Sequence, residues 1–130
     1  DSPAGLAAWI VEKFRVWSDC DGDLEQVVSL DELLTDISLY WFSGTVDAAI
    51  RMYKENCLDP LHFKPGERVE PPLGVALFPR ELPMPTRSWV ERTHSVARWT
   101  KMPRGGHFAA MEQPELLAQD IRSFFRPLRQ

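Results

Sequence analysis

Two short stretches carry side chains suited to moving protons. His107 follows Gly105 and Gly106, and Glu81 lies in Phe78-Pro79-Arg80-Glu81-Leu82. An imidazole titrates near neutrality, which suits it to general base work. A carboxylate on one ring nitrogen fixes the tautomer and stabilises the protonated ring. Glycines just before the histidine allow positive φ and close backbone approach. A plainer reading stands beside this one. Gly105-Gly106 is then a tight turn with His107 a bystander, and Arg80 and Glu81 form a surface ion pair of little energetic worth. His62 and His94 read as exposed surface residues. The acidic string Asp19-Cys20-Asp21-Gly22-Asp23 lacks the later ligands and terminal glutamate of a calcium loop and reads as a solvated turn.

The elements that must position these groups divide the chain in two. Ser2 caps a first helix with Pro3 at its first position. Leu6, Trp9, Ile10, Phe14 and Trp17 follow at spacings of three and four, an amphipathic stripe. Ser29 and Glu32 form a capping box for a second helix whose expected buried face is Leu30, Leu33, Leu34, Ile37 and Trp41. A third helix is predicted over 46–54, then an irregular connection over 56–72. Eight of the eleven prolines lie between Pro60 and Pro103, so that region is built of short elements with rigid joints. Leu73–Phe78 is a nearly continuous apolar run, the pattern of a strand buried on both faces. Thr86 starts a short helix, and Val96–Met102 is a more polar strand, nearer a sheet edge. Pro114 opens a last helix with Leu117, Ile121, Phe124 and Phe125 facing inward.

The order is therefore helices, then strand–helix–strand–helix. Glu81 follows the first strand and His107 the second, and in open α/β sheets the carboxyl ends of strands are where ligands and catalytic groups gather. This is also the order in which an α/β-hydrolase presents its acid and base. Two strands cannot cover a run like Leu73–Phe78, so the fold needs more strands than the chain supplies.

Size and composition narrow the class further. The chain has 130 residues and a net charge of −4, with 44% hydrophobic and 26% charged residues. This is a folded domain without the basic excess that nucleic acid or an anionic membrane wants. No run of apolar residues is long enough to span a membrane. Cys20 and Cys57 are too few for a disulfide scaffold and too far apart for a CxxC site, so free thiols in a reducing, cytoplasmic compartment are expected. Five tryptophans are a heavy load for this length. The start on Asp1-Ser2-Pro3, with no methionine before it, is what a segment of a longer chain would show.

Several blocks carry a family resemblance. Arg104-Gly105-Gly106-His107-Phe108-Ala109-Ala110 with Glu112-Gln113-Pro114-Glu115-Leu116-Leu117 resembles the C-terminal histidine motif of epoxide hydrolases of the microsomal type. So do Asp1–Ile10 with Glu12-Lys13-Phe14, Leu39–Thr45, Tyr53–Asn56 and Phe78–Leu82, which span nearly the whole chain in the family's order. The resemblance implies an α/β fold: the C-terminal portion of an α/β-hydrolase, comprising lid helices and the last two strand–helix units. Residues 1–72 are then helical lid and connecting loop, and 73–130 the C-terminal part of the core.

The same resemblance implies that His107 activates water, that Glu81 is its acid partner, and that Tyr53 is one of two lid tyrosines bonding the epoxide oxygen. A phenol suits that role because it donates to a developing alkoxide; as a residue by itself, Tyr53 reads as a buried aromatic. Tyr40 reads as core. The family's aspartate nucleophile, oxyanion-hole segment and second tyrosine have no counterpart in residues 1–130, and Asp1, Asp19, Asp21 and Asp23 occupy no strand-to-helix elbow. The implied partners are a small hydrophobic epoxide, as in xenobiotic detoxification, and the N-terminal remainder of the enzyme. Membrane attachment, seen in some relatives, falls to a segment outside this chain. No cofactor or metal is implied, and the chain alone is expected to be inactive. Two rivals remain: another α/β-hydrolase (an esterase or dehalogenase), which shares His107 and Glu81 but has no need of Tyr53, and a non-catalytic helical interaction fragment.

Overall fold

The computed structural model describes residues 2–129. Asp1, at the head of the first matched block, lies outside the described residues, as does Gln130. Helices α1 (Pro3–Trp17), α2 (Leu30–Ser43) and α3 (Val46–Leu58) are followed by strand β1 (Val69–Leu77), helix α4 (Arg87–Val90), strand β2 (His94–Lys101) and helices α5 (Ala109–Glu112) and α6 (Pro114–Phe125). The helices-then-strand–helix order holds. α3 extends past the predicted end to Leu58, and β1 starts at Val69 rather than Leu73. α5, a single turn, carries too little periodicity to be read in advance.

Local signals set the helix starts. The Ser2 hydroxyl accepts the Gly5 N–H at 3.2 Å, with Pro3 opening α1. At α2 the Ser29 hydroxyl accepts the Glu32 N–H at 3.3 Å, while the Glu32 carboxylate accepts the Ser29 N–H at 3.0 Å. This is the reciprocal box. The Ser29 hydroxyl also donates to that carboxylate at 2.6 Å. These bonds, the side-chain one first, hold the Glu32 carboxyl below the usual carboxylate range.

The helical half closes on Leu6, Ile10, Phe14, Val28, Leu33 and Ile37, with Tyr40 packed against them. Leu30, Leu34 and Trp41, expected inside, are exposed. α1 covers one narrow stripe of α2, and the rest of the expected face has no covering element among the described residues. No helix there is long and apolar enough to cross a membrane.

β1 and β2 pair in parallel, from Val69 opposite His94 to Leu77 opposite Lys101, and both end at the same edge. α6 packs on both strands. Asp120, buried on α6, accepts from Arg98 Nε at 2.7 Å and from the Thr100 hydroxyl at 2.8 Å. Arg98 and Thr100 are two apart on one strand and so share a face. The sheet-facing stripe of α6 is Leu117, Asp120 and Phe124. Ile121 and Phe125 lie one residue round the helix and are exposed, contrary to the inward face read from the sequence. In β1, Leu73, Val75, Ala76 and Leu77 are half-buried and only Phe78, just past its end, is fully covered. One covering helix protects one face of the strand, so the expected burial on both faces is not met within these residues.

Two outcomes test these attachments. Asp120→Ala strands the Arg98 guanidinium and the Thr100 hydroxyl, and we expect a loss of about 2–3 kcal/mol, read as a lower urea midpoint; an unchanged midpoint would contradict it. The stabilising charged form of Glu32 is present above the ordinary carboxylate pKa and is lost as pH falls through the lowered one. Acidification should therefore bring the wild-type midpoint towards that of Glu32→Gln; parallel profiles would contradict the linkage.

Candidate active site

Because β1 and β2 are parallel and end together, the loops leaving them lie side by side. The first turns at Phe78–Glu81, where the Glu81 N–H donates to the Phe78 carbonyl at 3.1 Å. Glu81 Oε1 accepts the Leu82 N–H at 2.7 Å, which pins the carboxylate to its own backbone. The second loop runs through Gly105-Gly106-His107-Phe108. The loops are joined directly, with the Arg80 N–H donating to the Gly105 carbonyl at 3.1 Å. His107 Nδ1 and Glu81 Oε1 meet at 2.8 Å, with their side chains 42% and 31% exposed. Nδ1 is thereby committed to the carboxylate, and Nε2 is the nitrogen available to take a proton.

A tight loop leaves its N–H groups without ladder or helix partners. Here four consecutive ones are satisfied. The Gly105 N–H donates to Asp19 Oδ2 at 2.8 Å, Gly106 to Glu112 Oε2 at 2.8 Å, His107 to the Trp17 carbonyl at 2.9 Å and Phe108 to Glu112 Oε1 at 2.9 Å. Glu112 Oε2 also accepts the Asp19 N–H at 2.8 Å. Bonds to a charged acceptor contribute about 1.5–3 kcal/mol each, so the loop is held firmly.

Gly105 has φ +107, and a Cβ there would lie 2.7 Å from the Phe78 ring. A Cβ on Gly106 would lie 2.5 Å from the Trp17 carbonyl oxygen. Both glycines are required, the first by its conformation and the second by the close approach.

Aromatic rings complete the setting. The His107 ring lies edge-to-face with Trp17 at 5.0 Å and with Phe108 at 5.1 Å. Phe108 in turn stacks on Phe14 at 4.2 Å, which joins the histidine loop to the helical core. Tyr53 is brought to neither His107 nor Glu81. It stands half-exposed on α3, its ring edge-on to Trp9 at 6.1 Å. With Trp9, Lys13, Trp17 and Ile50 it lines a cavity of about 370 Å³, and Trp17 is common to this cavity and to His107.

Other expectations need correcting. Arg80 does not pair with Glu81; it reaches Asp19 at 3.3 Å and Asp21 at 3.1 Å. The 19–23 turn is thus a bracket on both loops rather than merely solvated. His94 opens β2 half-buried, bonded to the Thr93 hydroxyl at 2.9 Å and edge-on to Phe63, and is not a free surface residue. Among the described residues, no cluster of three or more metal-ligating side chains occurs. Asp19, Glu112 and the Trp17 carbonyl were missed because their partners are backbone N–H groups far away in sequence.

The chain is 47% identical to "Epoxide hydrolase 1" of Sus scrofa over 139 residues and 44% identical to "Epoxide hydrolase 1" of Oryctolagus cuniculus over 133. These alignments take in 100% and 95% of the chain. The chain belongs to the epoxide hydrolases. It spans 31% and 29% of the lengths of those two relatives. Among solved structures, juvenile hormone epoxide hydrolase of Bombyx mori superposes with a TM-score of 0.82 at 31% identity, covering 99% of this chain and 36% of that one. An enantioselective mutant of Aspergillus niger epoxide hydrolase gives 0.79 at 33% identity, covering 98% and 31%. No protein-family model matches. The fold is accordingly the C-terminal portion of the α/β-hydrolase fold as epoxide hydrolases carry it.

Seating the epoxide-hydrolase histidine loop against α1 depends on the bare Cα of Gly106. Gly106→Ala must displace the Trp17 carbonyl, at about 1–3 kcal/mol, visible as a lower thermal midpoint. A midpoint equal to wild type would show that the loop does not sit where described.

Proposed function

We propose that the chain is the water-activating part of an enzyme that converts an epoxide and water to a vicinal diol through an alkyl-enzyme ester. The observation that supports this best is the 2.8 Å contact of His107 Nδ1 with Glu81 at the carboxyl ends of two parallel strands, in a chain of epoxide-hydrolase sequence.

In this reading an aspartate of the N-terminal remainder attacks an epoxide carbon, forming an ester as the ring C–O bond breaks. Tyr53 and a second tyrosine of that remainder donate to the ring oxygen, which takes a proton from one of them and stays on the neighbouring carbon as a hydroxyl. His107 Nε2 then takes a proton from water, whose oxygen attacks the ester carbonyl carbon. The acyl C–O bond breaks, the released oxygen takes the second proton of that water, the diol departs and the aspartate is restored as its carboxylate. Glu81 stabilises the imidazolium until its proton returns to the tyrosine oxygen. No step calls on a metal or organic cofactor.

Residues 1–72 act as lid and connection and 73–130 as core, although β1 already begins at Val69. The substrate is a small hydrophobic epoxide, in keeping with the aromatic walls beside Tyr53 and His107, and xenobiotic detoxification is the fitting role. The N-terminal remainder is the necessary partner, and the chain alone is inactive. Free thiols at buried Cys20 and exposed Cys57 fit a cytoplasmic setting.

In the complete enzyme, His107→Gln should lower turnover by at least about 100-fold and leave the protein heavier by one epoxide in an intact-mass spectrum. Ordinary turnover would overturn the assignment. Tyr53→Phe should slow epoxides by about 10-fold or more while sparing carboxylic esters; equal behaviour on both would favour an esterase or dehalogenase.

A further inference from the structure

The His107–Glu81 contact is made between two loops, and something must hold the histidine loop still while its imidazole gains and loses a proton. Glu112, the last residue of α5, occupies the position to do so. Its Oε1 accepts the Phe108 N–H at 2.9 Å and its Oε2 the Gly106 N–H at 2.8 Å, the two residues on either side of His107. Oε2 accepts the Asp19 N–H as well, at 2.8 Å. One carboxylate thus grips the loop on both sides of His107 and ties it to the end of α1. It is half-buried, takes part in no ion pair among the described residues, and faces three donors that each require an acceptor. The chain reversal that brings it there is short, for the Glu112 N–H closes back on the Phe108 carbonyl at 2.9 Å.

We propose that Glu112 is a positioning residue for His107. Its carboxylate gathers the N–H groups flanking the histidine and so sets the imidazole against Glu81 for deprotonating water. This deepens the epoxide-hydrolase reading and rests on it. Glutamine is the informative replacement, since it matches in size but keeps a single acceptor oxygen. Its NH₂ group must face at least one of the backbone donors and lose that bond. One side of the grip then opens, the imidazole wanders, and only the step that uses the imidazole suffers.

The two chemical steps can be read separately in the complete enzyme by rapid-quench single turnovers on an aryl epoxide. We expect Glu112→Gln to slow ester hydrolysis by 10- to 100-fold, on the order expected when a catalytic group is misplaced by about 1 Å. Ester formation should stay within about twofold of wild type, so the alkylated protein accumulates. Equal slowing of both steps would overturn the proposal, because a merely structural residue lowers the active fraction and moves both together. Full activity would overturn it too. Should Glu112→Gln fail to fold, Glu112→Asp keeps the charge with a shorter reach, and the same split is expected at smaller amplitude; equal slowing of both steps in that variant would likewise overturn the proposal. His107→Gln is the control on the underlying reading. If no ester accumulates in that variant, the epoxide-hydrolase chemistry itself fails, an outcome distinct from a loss of the split in Glu112→Gln alone.

Discussion

Four consecutive backbone N–H groups, from Gly105 to Phe108, leave the end of a strand with no ladder or helix to receive them. Unsatisfied, each would cost about 1–3 kcal/mol. Three of the four bond carboxylate oxygens of Asp19 and Glu112, and the fourth bonds the Trp17 carbonyl. Much of the arrangement follows from that constraint. α1 must end where it does, Gly106 must carry no side chain, and α5 must turn back within one helical turn. The same bonds fasten the helical half to the sheet half, since Asp19 and Trp17 belong to one and the histidine loop to the other.

That fastening is local. Away from it, large apolar side chains stand in solvent: Phe42 is 85% exposed, Leu61 83%, Leu58 70% and Met52 69%. The two strands pair only with each other among the described residues. A chain that spans about a third of its relatives' lengths exposes surfaces that those relatives have more residues to cover. The His107–Glu81 contact is nonetheless made within it, because parallel strands ending together deliver both loops to one edge without help from elsewhere.

The features legible in the sequence were those written in adjacent residues. The capping box needs only Ser29 and Glu32, the first helix start only Ser2 and Pro3, and the meeting of His107 with Glu81 only the order strand, carboxylate, strand, histidine. What escaped depends on partners without a side-chain signature. Asp19 and Glu112 bond backbone N–H groups, and Asp19 meets Gly105 across 86 positions of chain. Burial was over-read for a related reason. A helical stripe such as Leu30, Leu34 and Trp41 reports that a face is apolar, not whether the residues that cover it are present. Asp120 was invisible in the opposite sense, a charge on the inner stripe of α6 that only Arg98 and Thr100 on β2 explain.

We propose that the His107–Glu81 contact activates water, and that this water attacks an enzyme ester rather than the epoxide itself. A single turnover in ¹⁸O-labelled water, with the complete enzyme in excess over epoxide, distinguishes the two. An ester intermediate gives an unlabelled diol from that first turnover, with the label left on an enzyme carboxylate. A diol that carries ¹⁸O from the first turnover would contradict it.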